Sequence, residues 1–90
     1  MHLRNSLIES LGNLQSVGGN LDLGNTQIES LRNLQYVGGG FYLYNTPIKS
    51  LGILQSVGGY LYLTNTPISK KYTKEEIRQM VDVKYSIYPL

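Results

Sequence analysis

The chain has 90 residues, no cysteine, no tryptophan and a net charge of +2, with 41% hydrophobic and 16% charged residues. So short a chain buries little more than half of its unfolded surface, which allows one thin core at most. Without cysteine there is no disulfide framework, thiol nucleophile or Cys-ligated metal centre. No apolar run approaches the roughly 18–20 residues that cross a bilayer, and Met1-His2-Leu3-Arg4 does not open a signal peptide. A soluble, cytoplasmic protein is expected.

The charge is uneven. Residues 1–69 carry Arg4, Arg32 and Lys49 against Glu9, Asp22 and Glu29, so the whole excess lies in residues 70–90. That is too weak for a nucleic-acid surface, and Lys70-Lys71 reads as a solvated turn.

Taken in chain order, the sequence repeats itself every twenty residues. Gln15-Ser16-Val17-Gly18-Gly19 returns as Gln35-Tyr36-Val37-Gly38-Gly39 and as Gln55-Ser56-Val57-Gly58-Gly59. Ile8, Ile28, Ile48 and Ile68 share a register, as do Asn5, Asn25, Asn45 and Asn65, and Leu3, Leu23, Leu43 and Leu63. Ser6 is followed in its column by Thr26, Thr46 and Thr66. Such recurrence predicts one structural coil per period, stacked on the next. In Tyr60-Leu61-Tyr62-Leu63-Thr64 the apolar residues alternate with outward ones, which predicts a strand. The preceding Gly-Gly suits a bend that needs backbone angles closed to other residues. Asn-Thr-Pro after the strand turns the chain away. The return segment, such as Ser50 to Gln55, is too short for a long helix and predicts a helical turn or 3₁₀ piece. The threonine hydroxyls are expected to form an interior ladder, begun by Ser6, that satisfies backbone groups at the turn, and the asparagines to serve the turn geometry.

These residues resemble a leucine-rich repeat. The pattern L-x-x-L-x-L-x-x-N/C/T-x-L falls on Gly18-x-x-Leu21-x-Leu23-x-x-Thr26-x-Ile28 and recurs from Gly38 and Gly58, with glycine at the first apolar position. The form is most similar to short bacterial and bacteriophage repeats and also resembles receptor L domains. The resemblance covers residues 2–69 and implies an α/β solenoid with one parallel sheet on a concave face. It says almost nothing about function.

After Ile68 the repeat stops. Thr73-Lys74-Glu75-Glu76 is a capping box that predicts a helix over residues 74–81, with Ile77, Met80 and Val81 on its inner face. Val83 to Tyr88 alternates and predicts a last strand ended by Pro89. Residues 70–90 therefore read as a C-terminal cap of the same domain. The first coil has no comparable cover, so residues 1–14 offer an edge for a homodimer or another partner.

The outward columns of the predicted sheet read His2, Asp22, Tyr42, Tyr62 in the centre, Arg4, Gly24, Tyr44, Thr64 on one side and Asn20, Gly40, Tyr60 on the other. Tyr42, Tyr44, Tyr60 and Tyr62 thus share one surface, with Asp22, Arg4 and His2 as a polar rim. Tyrosine brings large contact area, a polar tip and little rotamer entropy to lose, so the cluster predicts a protein-binding face. Cross-strand stacking that only steadies the sheet is the competing explanation. The residues supply no nucleophile–base set, metal-spaced ligands or phosphate loop, and neither enzyme activity nor a cofactor is expected. The expected function is protein–protein interaction without nucleic acid or membrane; the alternative is a structural homo-oligomer built through the N-terminal edge. The phage likeness would make a host protein the natural target, met in the host cytoplasm. Stacked tyrosines could also serve a nucleic acid or carbohydrate, a reading weakened by the lack of adjacent basic residues and of tryptophan.

Overall fold

The computed structural model describes residues 1–89. Each inner repeat supplies two very short strands: β1 (Ser16–Val17) and β2 (Leu21–Asp22), β3 (Tyr36–Val37) and β4 (Phe41–Tyr42), β5 (Ser56–Val57) and β6 (Leu61–Tyr62). Two helices follow, α1 (Pro67–Lys71) and α2 (Lys74–Met80), then β7 (Asp82–Val83) and β8 (Ile87–Tyr88). The strands make two four-stranded parallel sheets, β1-β3-β5-β7 and β2-β4-β6-β8. One sheet was expected from the repeat; there are two. The second is built from the Ser-Val and Tyr-Val pairs before Gly-Gly, which are too short to show an alternation.

Register follows the repeat. Leu21 faces Phe41 and Phe41 faces Leu61, while Val17 faces Val37 and Val37 faces Val57. The last pairing breaks that offset of 20, because Leu61 faces Ile87 and Val57 faces Val83. The six extra residues lie where α1 and α2 replace the shorter connection of the earlier repeats. Val83 to Tyr88 is accordingly not one strand: β7 extends one sheet, β8 extends the other, and the chain turns between them.

The strand leucines point inward as the alternation requires. Leu21, Leu23, Phe41, Leu43, Leu61 and Leu63 are fully buried, and Ile28, Ile48 and Ile68 close the same core from the turns. Each such side chain contributes about 1.5–3 kcal/mol of transfer free energy relative to exposure. The return segments are not helical. Leu14, Leu34 and Leu54 donate their N–H groups to the carbonyls of Leu11, Leu31 and Leu51, closing tight turns. The first central residue has a left-handed φ in each turn: Gly12 (59°), Arg32 (54°) and Gly52 (57°). A helix cannot pass through such angles, which is why the expected helical turn is absent.

Polar side chains at the turns play two different parts. The hydroxyls of Thr26, Thr46 and Thr66 each donate to the carbonyl three residues back in the same repeat, at 2.7 Å, so they satisfy turn carbonyls but do not bond to one another. Ser6 does not join them; its buried Oγ has no partner among the described residues. The ladder belongs to the asparagines instead. Asn25, Asn45 and Asn65 each donate from Nδ2 to the Oδ1 of the asparagine one repeat earlier, at 2.8 Å. All four asparagines have φ between 55° and 61°, a region that asparagine tolerates better than other side chains.

The Gly-Gly pairs act by size. None of the six has a left-handed φ, and a Cβ on Gly38 or Gly58 would overlap the carbonyl oxygen of Gly18 or Gly38 in the repeat before. They permit close backbone approach where bending was expected.

At the C-terminal end, Thr73 and Glu76 form the expected capping box: Thr73 N–H donates to Glu76 Oε1 at 2.8 Å and Glu76 N–H to Thr73 Oγ1 at 3.2 Å. Thr66 and Ser69 form a second one at the start of α1, with Pro67 in the first turn. Ile77 and Val81 are buried as expected, but Met80 is 45% exposed. No helix among the described residues is long and apolar enough to cross a membrane.

Candidate functional site

The outward face of the β2-β4-β6-β8 sheet gathers most of the tyrosines. Because the parallel register sets Tyr42 beside Tyr62 and Tyr62 beside Tyr88, their rings stack in a column. Ring centroids are 4.6 Å apart for Tyr42 and Tyr62 and 5.0 Å for Tyr62 and Tyr88, with interplanar angles of 7° and 9°. Tyr60 lies tilted across the column, 6.2 Å from Tyr62 and 6.1 Å from Tyr88, and reaches Tyr85 at 5.2 Å. Tyr60 and Tyr85 are exposed, whereas Tyr42, Tyr62 and Tyr88 are half-buried. Burial first, and then the neighbouring Tyr42, Tyr88 and Tyr60, push the Tyr62 phenol above its ordinary value of 10.0.

Helix α2 helps to hold this cluster. Arg78 donates from Nη1 to the Val83 carbonyl at 2.9 Å and from Nη2 to the Tyr85 carbonyl at 2.6 Å. The turn that carries Tyr85 is thereby tied to the helix.

Tyr44 stands apart from the column. Its ring covers Gly24 in the preceding repeat, in space that any Cβ there would occupy. Gly40 leaves room for Tyr42, two residues on, whose hydroxyl would lie 3.2 Å and whose ring 3.3 Å from an added Cβ. The two glycines that interrupt the outward columns are therefore seats for rings.

Between Tyr42 and Tyr44 lies a depression of about 320 Å³, lined also by His2, Arg4, Asn20 and Asp22. Asp22 was expected at an exposed rim, but it is 6% exposed. Its Oδ1 accepts the Gly24 N–H at 3.1 Å, and its Oδ2 lies 3.1 Å from Arg4 Nε. Parallel pairing of His2 with Asp22 brings the N-terminal segment alongside.

The sequence-derived set thus divides in two. Tyr42, Tyr60 and Tyr62 meet in the aromatic cluster, while Arg4, Asp22 and Tyr44 line the depression with Tyr42 as shared wall. Tyr85 and Tyr88 were missed, as was the part played by Asn20. A signal for Tyr88 exists: Ile87-Tyr88 repeats the apolar-tyrosine order of Leu61-Tyr62 once a six-residue insertion is allowed. Among the described residues no group of three or more His, Asp or Glu side chains is placed to hold a metal ion. Compared with known proteins, the chain matches no family model, no curated protein and no solved structure.

Proposed function

We propose that this chain is a non-enzymatic protein-interaction module, a solenoid of the leucine-rich-repeat kind whose tyrosine face receives a protein partner. The observation that carries the reading is the cluster of Tyr42, Tyr60, Tyr62, Tyr85 and Tyr88 on one sheet face. Sheet stability alone would be served by burying these rings, yet Tyr60 is 41% and Tyr85 48% exposed. Pre-ordered aromatic side chains with free edges lose little entropy on binding, which is why such residues dominate interface energetics. Affinity capture from the source cell, with parent and Tyr42→Ser/Tyr62→Ser bait in parallel, tests the reading. A protein retained by the parent and lost from the double variant supports it; identical captures overturn it.

A second reading, self-association through residues 1–14, is favoured by a separate observation. Leu7 is 92% exposed, and Leu3, Ile8, Leu11 and Leu14 are only partly covered at that end of the stack. Light scattering over a wide dilution range decides it, since a monomer at every concentration removes the idea. Leu3→Lys should lower any observed mass while leaving the tyrosine face intact.

A further inference from the structure

We propose that the depression between Tyr42 and Tyr44 is a carboxylate-binding site, which takes an Asp or Glu side chain of the partner segment. The proposal rests on the tyrosine-face reading above and names the chemistry that the partner brings.

Its basis is an imbalance of donors over acceptors. Each oxygen of the Asp22 carboxylate is already engaged, one by Gly24 N–H and the other by Arg4 Nε. The Asn20 side-chain oxygen accepts the Gly40 N–H at 2.7 Å, which leaves its Nδ2 as a donor with no hydrogen-bond partner among the described residues. Arg4 spends only Nε on Asp22; its two terminal nitrogens have no protein acceptor among the described residues, and its side chain is 52% exposed. His2, Tyr42 and Tyr44, each of which carries an N–H or O–H group, complete the lining. A cation entering here would meet a buried carboxylate that is already neutralised. An anion would meet an arginine fork pre-set by Asp22, with an amide donor beside it. The aromatic walls would cover the methylene stem of an Asp or Glu side chain.

The test is a nitrogen-15 NMR titration of the whole chain with acetyl-Gly-Glu-Gly-amide, its Gln and Lys counterparts, and inorganic phosphate. The Glu peptide is expected to shift Arg4 Nε–Hε, the Asn20 side-chain amide and the Gly24 amide saturably. The Gln peptide should bind about tenfold more weakly or worse, the size of one charge-assisted hydrogen bond. Arg4→Gln should abolish the shifts. Asn20→Asp is the cleaner variant: it keeps the acceptor for Gly40 N–H, so that amide stays in place while Glu-peptide binding is lost. Equal binding of Gln and Glu peptides, preference for the Lys peptide, stronger binding of phosphate, or shifts that survive Asn20→Asp would each overturn the assignment. Failure here is separable from failure of the tyrosine face. A captured partner lost with Tyr42→Ser/Tyr62→Ser but retained by Asn20→Asp keeps the face and removes the carboxylate site.

Discussion

The first repeat and the two that follow it share one pattern and the same turns, yet differ in burial, in ladder bonding and in the space around their glycines. Leu11, Leu14 and Val17 are half-covered, while Leu31, Leu34 and Val37 are buried. Asn5 only accepts in the asparagine ladder, whereas Asn25 and Asn45 both donate and accept. Gly18 has open space where a Cβ would stand; Gly38 does not. The same residue thus has a different energetic weight according to whether a repeat lies on both sides of it. Stability in such a stack resides in the junctions between neighbours.

The largest effect that probes this contrast is expected in the core. Leu34→Ala should cost about 2–5 kcal/mol, as for other fully buried leucines, and Leu14→Ala about 1 kcal/mol. Denaturant unfolding of the pair measures both. Equal losses would mean that the first repeat is as tightly held as the second. The glycines give a contrast of sign. Gly38→Ala forces a methyl onto the Gly18 carbonyl and should cost about 1–3 kcal/mol, because the backbone it meets cannot step aside. Gly18→Ala meets nothing within 4 Å and should be neutral or stabilise by up to about 1 kcal/mol through the unfolded chain. If both variants lose stability alike, close approach is not what these glycines provide.

Those glycines also mark where sequence reading stops. The period of twenty, the inward leucines, the threonine-to-carbonyl turns and the Thr73–Glu76 box were legible because each is a local pattern with a local cause. The second sheet was not, since Ser16-Val17 and its counterparts are two residues long and carry no alternation; their pairing exists only once repeats are stacked. Gly-Gly suggested unusual angles, but what it supplies is absence of a side chain opposite a neighbouring carbonyl, a fact of packing. The candidate site was half legible for the same reason. Column position placed Tyr42 and Tyr62 together, whereas Tyr88 lay hidden behind a six-residue insertion and Asp22 was not recognisable as buried. Neither Gly24 nor Gly40 could be read as a ring seat without knowing which way Tyr44 and Tyr42 lean.

A smaller contrast runs along the asparagine ladder. Asn5→Ala and Asn45→Ala both place alanine at a left-handed φ, at about 1 kcal/mol each. Asn45→Ala also removes two inter-repeat hydrogen bonds where Asn5→Ala removes one, each bond contributing about 0.5–1.5 kcal/mol. Asn45→Ala should therefore be the more damaging by roughly one bond, about 1 kcal/mol, in the same unfolding assay. Equal losses would show that the ladder contributes no stability beyond turn geometry.

The smallest effect separates the aromatic end of the outward face from its polar end. Tyr62 keeps its proton to higher pH in the folded chain than in the unfolded one, because burial and three neighbouring phenols disfavour its anion. The unfolded state therefore releases that proton first. Its contribution to stability is full below the ordinary value of 10.0 and declines as pH rises from there to the raised folded value. Unfolding midpoints between about pH 9 and 11 should fall more steeply for the parent than for Tyr62→Phe. Absorbance titration of the phenols should likewise lose one step that lies above the ordinary value in that variant. Arg4→Gln, at the polar end of the same sheet, should leave the alkaline slope unchanged. Were it to alter the slope as much as Tyr62→Phe, the stack and the depression would be one electrostatic unit, and the division between an aromatic and a donor-lined half of the face would fail.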